Sequence, residues 1–271
     1  MDKKIGFIGC GNMGKAMVGA LVESSIIENH QIMVSTRTEK SLSEIQNMWD
    51  VRTTMINQEV ATFADIIVIA VKPADHKRII MDIKDIISEE QIIVLIAAGV
   101  TLEQAEDWFG KEVKMVRTMP NTPVLVNAGM SAICPNHQLS DDEIQDVCKM
   151  FHVFGEYELL DEKDFHAFIA LCGSSPAYIF ILIEAMADAA VKLGLPREKA
   201  YKMAQQSVLG SAKMALDTGL HPAYLKDMVC SPGGSTIAAV AELEKNGFRS
   251  AVISAMEVCA EKSKSMQEDN K

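Results

Sequence analysis

The chain has 271 residues, 48% of them apolar, with a net charge of −11 and a pI near 5.1. That acidity leaves no basic stripe to neutralise phosphates, which argues against nucleic acid as a partner. Six scattered cysteines, without a C-x-x-C pair or zinc spacing, fit reduced thiols in the cytoplasm and no metal site.

Residues 3–8 already read as a strand, so no signal peptide is expected before the fold. Short Ile- and Val-rich runs at 4–8, 31–35, 65–71, 91–97 and 113–117 read as buried parallel strands. Helical patterns fall between them, at 13–24, 39–49, 75–86 and 102–109. The alternation predicts an α/β, doubly wound sheet of Rossmann type, which 128–134 and 156–159 extend around a helix at 140–152.

Beyond residue 161 the pattern is helical only: 164–171, 176–194, 197–218, 222–228, 235–246 and 249–266. The expected division is therefore a nucleotide-binding domain over 1–160 and an all-helical domain over 161–271, with a frayed tail at 267–271. The helix from Ala177 is apolar on more than one face (Tyr178, Ile179, Phe180, Ile181, Leu182, Ile183, Met186). Either it lies at the centre of this domain or it packs against another subunit, and in so small a domain a homodimer interface is favoured. Glu184, Asp188 and Lys192 interrupt the stretch, so it is not expected to span a membrane.

Gly9-Cys10-Gly11-Asn12-Met13-Gly14 stands between the first strand and its helix, the context a dinucleotide fingerprint requires. Gly9 permits the turn, Gly11 lets the backbone approach a pyrophosphate, and Gly14 lets helix and strand pack closely. The N-terminus of the helix that follows supplies N–H groups and a partial positive charge to the phosphates. The end of the second strand reads Ser35-Thr36-Arg37-Thr38, without the carboxylate usual for NAD. Hydroxyls and a guanidinium there suit a 2′-phosphate, so NADPH is the expected cofactor. Ala70-Val71-Lys72-Pro73 and Ala97-Ala98-Gly99-Val100 follow later strands, where small residues let nicotinamide and ribose lie against backbone. Lys72 reads as a ribose or phosphate contact in preference to a catalytic base. Met119-Pro120-Asn121-Thr122-Pro123 is expected after the strand at 113–117, as a rigid turn that either aims Asn121 into the cleft or is purely structural.

None of the six histidines (His30, His76, His137, His152, His166, His221) has a motif neighbour that marks a catalytic acid. Hydride delivery to a ketone needs such an acid, whereas a protonated imine already carries its proton. Ser231-Pro232-Gly233-Gly234-Ser235-Thr236-Ile237 offers hydroxyls and a glycine nest at a helix start, which fits an imine bearing a carboxylate. The other reading of these residue types is an N-capping turn built on Ser235 or Thr236.

Together these segments, with Arg117-Thr118 before Met119, Gly173-Ser174-Ser175-Pro176-Ala177-Tyr178, and Gly247-Phe248-Arg249, resemble the pyrroline-5-carboxylate reductase family over almost the whole chain. The resemblance implies NADPH-dependent reduction of the cyclic imine to L-proline, with NADH used less well. It implies a Rossmann domain, interlocked helical dimerisation domains and, in some members, rings of dimers. It places Ser231, Gly234, Ser235 and Thr236 around the substrate, with the Thr236 hydroxyl near the imine nitrogen. It places Asn12, Met13, Ser35, Arg37, Asn57, Ala70, Lys72 and Pro73 on the cofactor. The chain departs from many members at Cys172, Ser175 and Ser235, keeping the hydroxyl at the last. Two alternatives remain. A β-hydroxyacid dehydrogenase would want a lysine early in the first long helix of the second domain, where none precedes Lys192. A non-catalytic NADP(H)-binding regulator would lack the substrate nest.

Overall fold

The computed structural model describes residues 1–96 and 98–268. Contacts divide the chain into two units: Met1–Gly173 together with the chain from Cys259 onward, and Ser174–Val258. The division falls after residue 160 because Phe165, Phe168, Ile169 and Ala170 are buried, the two phenylalanines within a core cluster of the first unit. His166, whose Nδ1 lies 2.9 Å from the Ser263 hydroxyl, is likewise bonded within that unit.

Among the described residues the first unit holds eight strands: β1 (Ile5–Ile8), β2 (Ile32–Ser35), β3 (Arg52–Thr54), β4 (Ile66–Ile69), β5 (Ile92–Ile96), β6 (Lys114–Pro120), β7 (Gly129–Pro135) and β8 (Gly155–Leu159). They form one sheet in the order β3-β2-β1-β4-β5-β6-β7-β8. Every pairing is parallel except β6 with β7. All residues of β1 and β4 are buried, because helices cover both faces, and this makes the strand sequences read as unbroken apolar runs. The covering helices are α1 (Asn12–Glu23), α2 (Glu39–Met48), α3 (Asn57–Phe63), α4 (His76–Ile83), α5 (Leu102–Phe109), α6 (Asp141–His152) and the short α7 (Phe165–Phe168). Thr101 and Ser140 start α5 and α6 with reciprocal capping boxes through Gln104 and Glu143. The register pairs Ile8 with both Ser35 and Ile69, so the chain leaves β1, β2 and β4 at one level. That alignment brings three loops to one edge of the sheet, at the point where strand order reverses.

The sequence pattern does not show β3 and α3, since three and seven residues are too few to display a period. Met119 and Pro120 belong to β6 instead of following it, through antiparallel pairing with Ala132 and Ser131. The expected helix at 164–171 is α only over Phe165–Phe168 and continues as a π-turn over Ile169–Gly173. Ala97 at the end of the expected strand 91–97, and the tail at 269–271, lie outside the described residues.

The second unit contains α8 (Ser175–Lys192), α9 (Arg197–Thr218), α10 (Pro222–Val229), α11 (Ser235–Lys245) and the start of α12 (Phe248–Glu268). α8 packs on α9. Among its described residues only Ala187, Ala200 and Ala204 are buried, while Phe180, Ile181 and Leu216 are 64%, 66% and 83% exposed. Three alanines bury too little apolar surface to hold five helices, so this unit is not a complete core by itself. The continuous helical run 162–192 is long and apolar enough to cross a membrane by length and composition. The charges expected to disqualify it all lie in its C-terminal part, and the run begins well before Ala177.

Candidate functional site

In the first unit the glycine turn rises from β1. Gly9 has φ +85°, and a Cβ there would come within 2.5 Å of Val71 Cγ1 and 3.0 Å of the Ala70 carbonyl oxygen. Only glycine suits both the backbone and the close passage of the β4 loop. The Gly9 N–H donates to the Ser35 carbonyl, and the Ala70 N–H donates to the Ile8 carbonyl. Gly14 is buried, with a Cβ site 3.2 Å from the Gly9 carbonyl oxygen, so α1 sits hard against the turn. Gly11 is different. It is exposed, it N-caps α1 without a side chain, and its Cβ site meets nothing within 4 Å. Open space therefore lies over the first N–H groups of α1, where Asn12, Met13 and Gly14 have no helical acceptor. A pyrophosphate fits that cradle.

The hydroxyls at the end of β2 are already committed. Ser35 Oγ donates to Asn57 Oδ1 at 2.8 Å, and Asn57 Nδ2 donates to Asp82 at 3.0 Å. Thr36 Oγ1 donates to the Thr38 carbonyl, and Thr38 caps α2 by accepting from the Ser41 N–H. Ser35 and Thr36 are buried, while Arg37 is exposed and carries the charge of this turn. Its guanidinium lies 4.0 Å from Asp75 of the β4–α4 turn.

Lys72 is exposed at the start of a 3-10 turn, Pro73–Asp75. Its carbonyl accepts from the Asp75 N–H at 2.9 Å and from His76 Nδ1 at 3.1 Å. His76 is fully buried, and its Nε2 finds no partner. Burial lowers its pKa, so the ring stays neutral with the proton on Nδ1. Sequence reading passed over His76 and Asp75. Their spacing from Lys72 on one tight turn is a signal only once the turn is known. Gly99 takes φ +83° beside Ala98 in the turn after β5.

Asn121 is buried and its side chain is engaged on both atoms. Nδ2 donates to the Cys172 carbonyl at 2.9 Å, and Oδ1 accepts from the Met130 N–H at 2.9 Å. Pro176 has no N–H to give the carbonyl four residues earlier, that of Cys172. Asn121 fills that gap and stabilises the π-turn, which is the structural alternative for this residue.

Arg117 is 1% exposed on β6. It donates to Glu162 at 2.8 Å and stacks over Phe165 with 4.5 Å to the ring centroid. Glu162 Oε1 also accepts from the Leu102 N–H, so one carboxylate joins β6, α5 and the entry to α7. None of the six cysteines is in a disulfide. Burial pushes the Cys10 thiol up to about 12, which keeps it protonated beside the phosphate cradle. Among the described residues no group of acidic, His or Cys side chains could hold a metal.

In the second unit, Ser231–Gly234 turns the chain from α10 into α11. The Gly234 N–H donates to the Ser231 carbonyl at 3.0 Å, and Gly233 takes φ +69°. Gly234 is the N-cap of α11 and has no side chain with which to cap. Ser235 and Thr236 are already inside the helix, so the capping reading of these hydroxyls does not hold. Among the described residues, the hydroxyls of Ser231, Ser235 and Thr236 make no hydrogen bond within the chain. The first N–H groups of α11 add a partial positive charge at this turn. Amides and hydroxyls of this kind are groups that can bind a small carboxylate.

The family described as pyrroline-5-carboxylate reductase dimerisation matches residues 162–266, and the family described as NADP oxidoreductase, coenzyme F420-dependent, matches 4–99. The chain is 50% identical to the pyrroline-5-carboxylate reductase of Escherichia coli K12, over 98% of this chain and 99% of the relative. Among solved structures, a pyrroline-5-carboxylate reductase from Coxiella burnetii superposes with TM-score 0.93 at 35% identity, covering 98% of this chain and 99% of that one. The Plasmodium falciparum pyrroline carboxylate reductase, solved with NADP bound, superposes with TM-score 0.88 at 33% identity, covering 98% of each chain.

Proposed function

The chain belongs to the pyrroline-5-carboxylate reductase family, and from that premise we propose how its own residues carry the reaction. It is an NADP-dependent oxidoreductase that reduces the C=N bond of 1-pyrroline-5-carboxylate to L-proline, a step of proline biosynthesis. The observation that carries the assignment of the substrate residues is the glycine-capped start of α11, with the Ser231, Ser235 and Thr236 hydroxyls unspent beside it.

Bound NADPH supplies the hydride. Gly9, Gly11, Asn12, Met13 and Gly14 hold the pyrophosphate on α1, and Arg37 reads the 2′-phosphate. Ser35, Thr36 and Asn57 shape that turn through their own bonds. Ala70, Val71, Lys72, Pro73, Ala98 and Gly99 present backbone to the ribose and nicotinamide, and Asn121 holds the neighbouring turn. The substrate carboxylate takes the amides of Gly233, Gly234 and the first turn of α11, with Ser231 and Ser235 donating. Thr236 is the catalytic residue: its hydroxyl oxygen accepts from the iminium N–H and orients the C=N bond. Because the nitrogen already carries its proton, the product is a neutral amine and no histidine is needed.

The dimer forms through the helical unit, whose apolar faces α8 and its neighbours leave uncovered. A second copy, not lipid, covers the exposed apolar residues of α8, which lies inside the matched dimerisation region. The dimer works in the cytoplasm without nucleic acid, and dimers assemble further into a ring. The reaction is tested by mixing protein, NADPH and pyrroline-5-carboxylate, following loss of reduced-cofactor absorbance and detecting proline. NADPH binding without turnover would favour the regulator reading. Light scattering gives the assembly: a single dimer would remove the ring.

A further inference from the structure

We propose that Asp75 sets how strongly this chain discriminates NADPH from NADH, by tempering Arg37 and by offering the carboxylate that β2 lacks. The proposal rests on the reading that Arg37 faces the cofactor's 2′ position. β2 and β4 flank β1 in the sheet, and their ends are level, so the turns after them stand on either side of the glycine turn. Arg37 comes from one of these turns and Asp75 from the other. Asp75 Oδ2 lies 4.0 Å from Arg37, and Oδ1 lies 3.2 Å from Arg78.

Asp75 ends the 3-10 turn that runs directly into α4, with helical backbone of its own, so its side chain makes no capping bond and both oxygens face guanidinium groups. Arg37 is 78% exposed at the side chain, and Asp75 is the one carboxylate paired with it among the described residues. The three side chains sum to one positive charge, two guanidiniums against one carboxylate. A 2′-phosphate, with between one and two negative charges, is drawn to the arginines and repelled by Asp75. A bare 2′-hydroxyl can instead donate to that carboxylate, as it does to the strand-end acid of NAD enzymes. One side chain thus weakens NADPH and strengthens NADH.

The test is equilibrium binding of NADPH and of NADH, read by reduced-cofactor fluorescence, to the intact protein and to Asp75→Asn, Arg37→Ala and the double variant. Asp75→Asn is expected to tighten NADPH and loosen NADH, moving the ratio of the two Kd values by about tenfold, the scale of one charge-assisted hydrogen bond. Arg37→Ala is expected to move that ratio at least tenfold the other way. In the Arg37→Ala background, Asp75→Asn should still loosen NADH. An unmoved or reversed ratio in Asp75→Asn, with Arg37→Ala still selective against NADPH, would overturn the role of Asp75. Equal weakening of both cofactors by Arg37→Ala would overturn the underlying reading of Arg37.

Discussion

Ser231 Oγ lies 2.5 Å from the point where a Cβ on residue 234 would stand. The absence of a side chain at Gly234 is therefore what lets the Ser231 hydroxyl rest over the start of α11. Gly234→Ala should push that hydroxyl aside and cost about one hydrogen bond to substrate, ~1–1.5 kcal/mol, or roughly tenfold in KM. Its φ of −78° is open to alanine, so the helix should persist. Steady-state kinetics with NADPH saturating would show this, and an unchanged KM would separate Ser231 from the substrate.

Thr236 should matter to the chemical step more than to binding. Thr236→Ala is expected to lower kcat by about 10–100-fold, since it removes one oriented hydroxyl. Thr236→Ser should recover most of that loss. NADPH affinity, measured by fluorescence titration, should be the same in all three proteins.

His76 gives the fold an acid sensitivity. Burial lowers its pKa below the ordinary 6.5, so the unfolded chain binds a proton more readily than the folded one. Its contribution to stability is full above about pH 6.5 and is lost as pH falls from there towards the folded value. His166 acts with the same sign, through burial and the nearby Arg117 charge. Denaturant unfolding at pH 8 and pH 5 should show a smaller acid loss for His76→Asn than for the wild type. Asn keeps a donor for the Lys72 carbonyl and cannot charge.

Arg117 is buried and Glu162 is 31% exposed at the side chain, so the pair is half-buried. Arg117→Ala leaves the carboxylate that also accepts from the first N–H of α5 without its cation, a change expected to cost about 2–3 kcal/mol, the upper range for a hydrogen bond to a charged group. Thermal unfolding would register it. A loss near 1 kcal/mol would mean that water replaces the guanidinium.

The apolar face of α8 should govern assembly. Phe180→Asp with Ile181→Asp would place two charges where a second copy packs, and each would go unpaired. Light scattering should show monomers, with activity falling in parallel. A dimer of normal mass would move the interface elsewhere.

Much of this protein was legible from residue order alone. Strands such as Ile66–Ile69 announce themselves because burial on both faces demands unbroken apolar runs. The glycine turn is equally plain, because φ +85° and a 2.5 Å approach leave one residue type possible at Gly9. The chemistry proposed for the nest rests on residue types and on the lack of a motif that marks a catalytic histidine. Tertiary structure decided what depends on contacts between distant segments. It showed that Asn121 is spent on the Cys172 carbonyl, that the hydroxyls at the end of β2 are spent on Asn57 and the Thr38 carbonyl, and that α11 is capped by glycine, leaving Ser235 and Thr236 inside the helix. It also brought a carboxylate to Arg37 from residue 75, which no local pattern announces. Periodicity and backbone permission are properties of neighbours in sequence. Whether a polar group is free for a ligand depends on every segment that folding brings beside it.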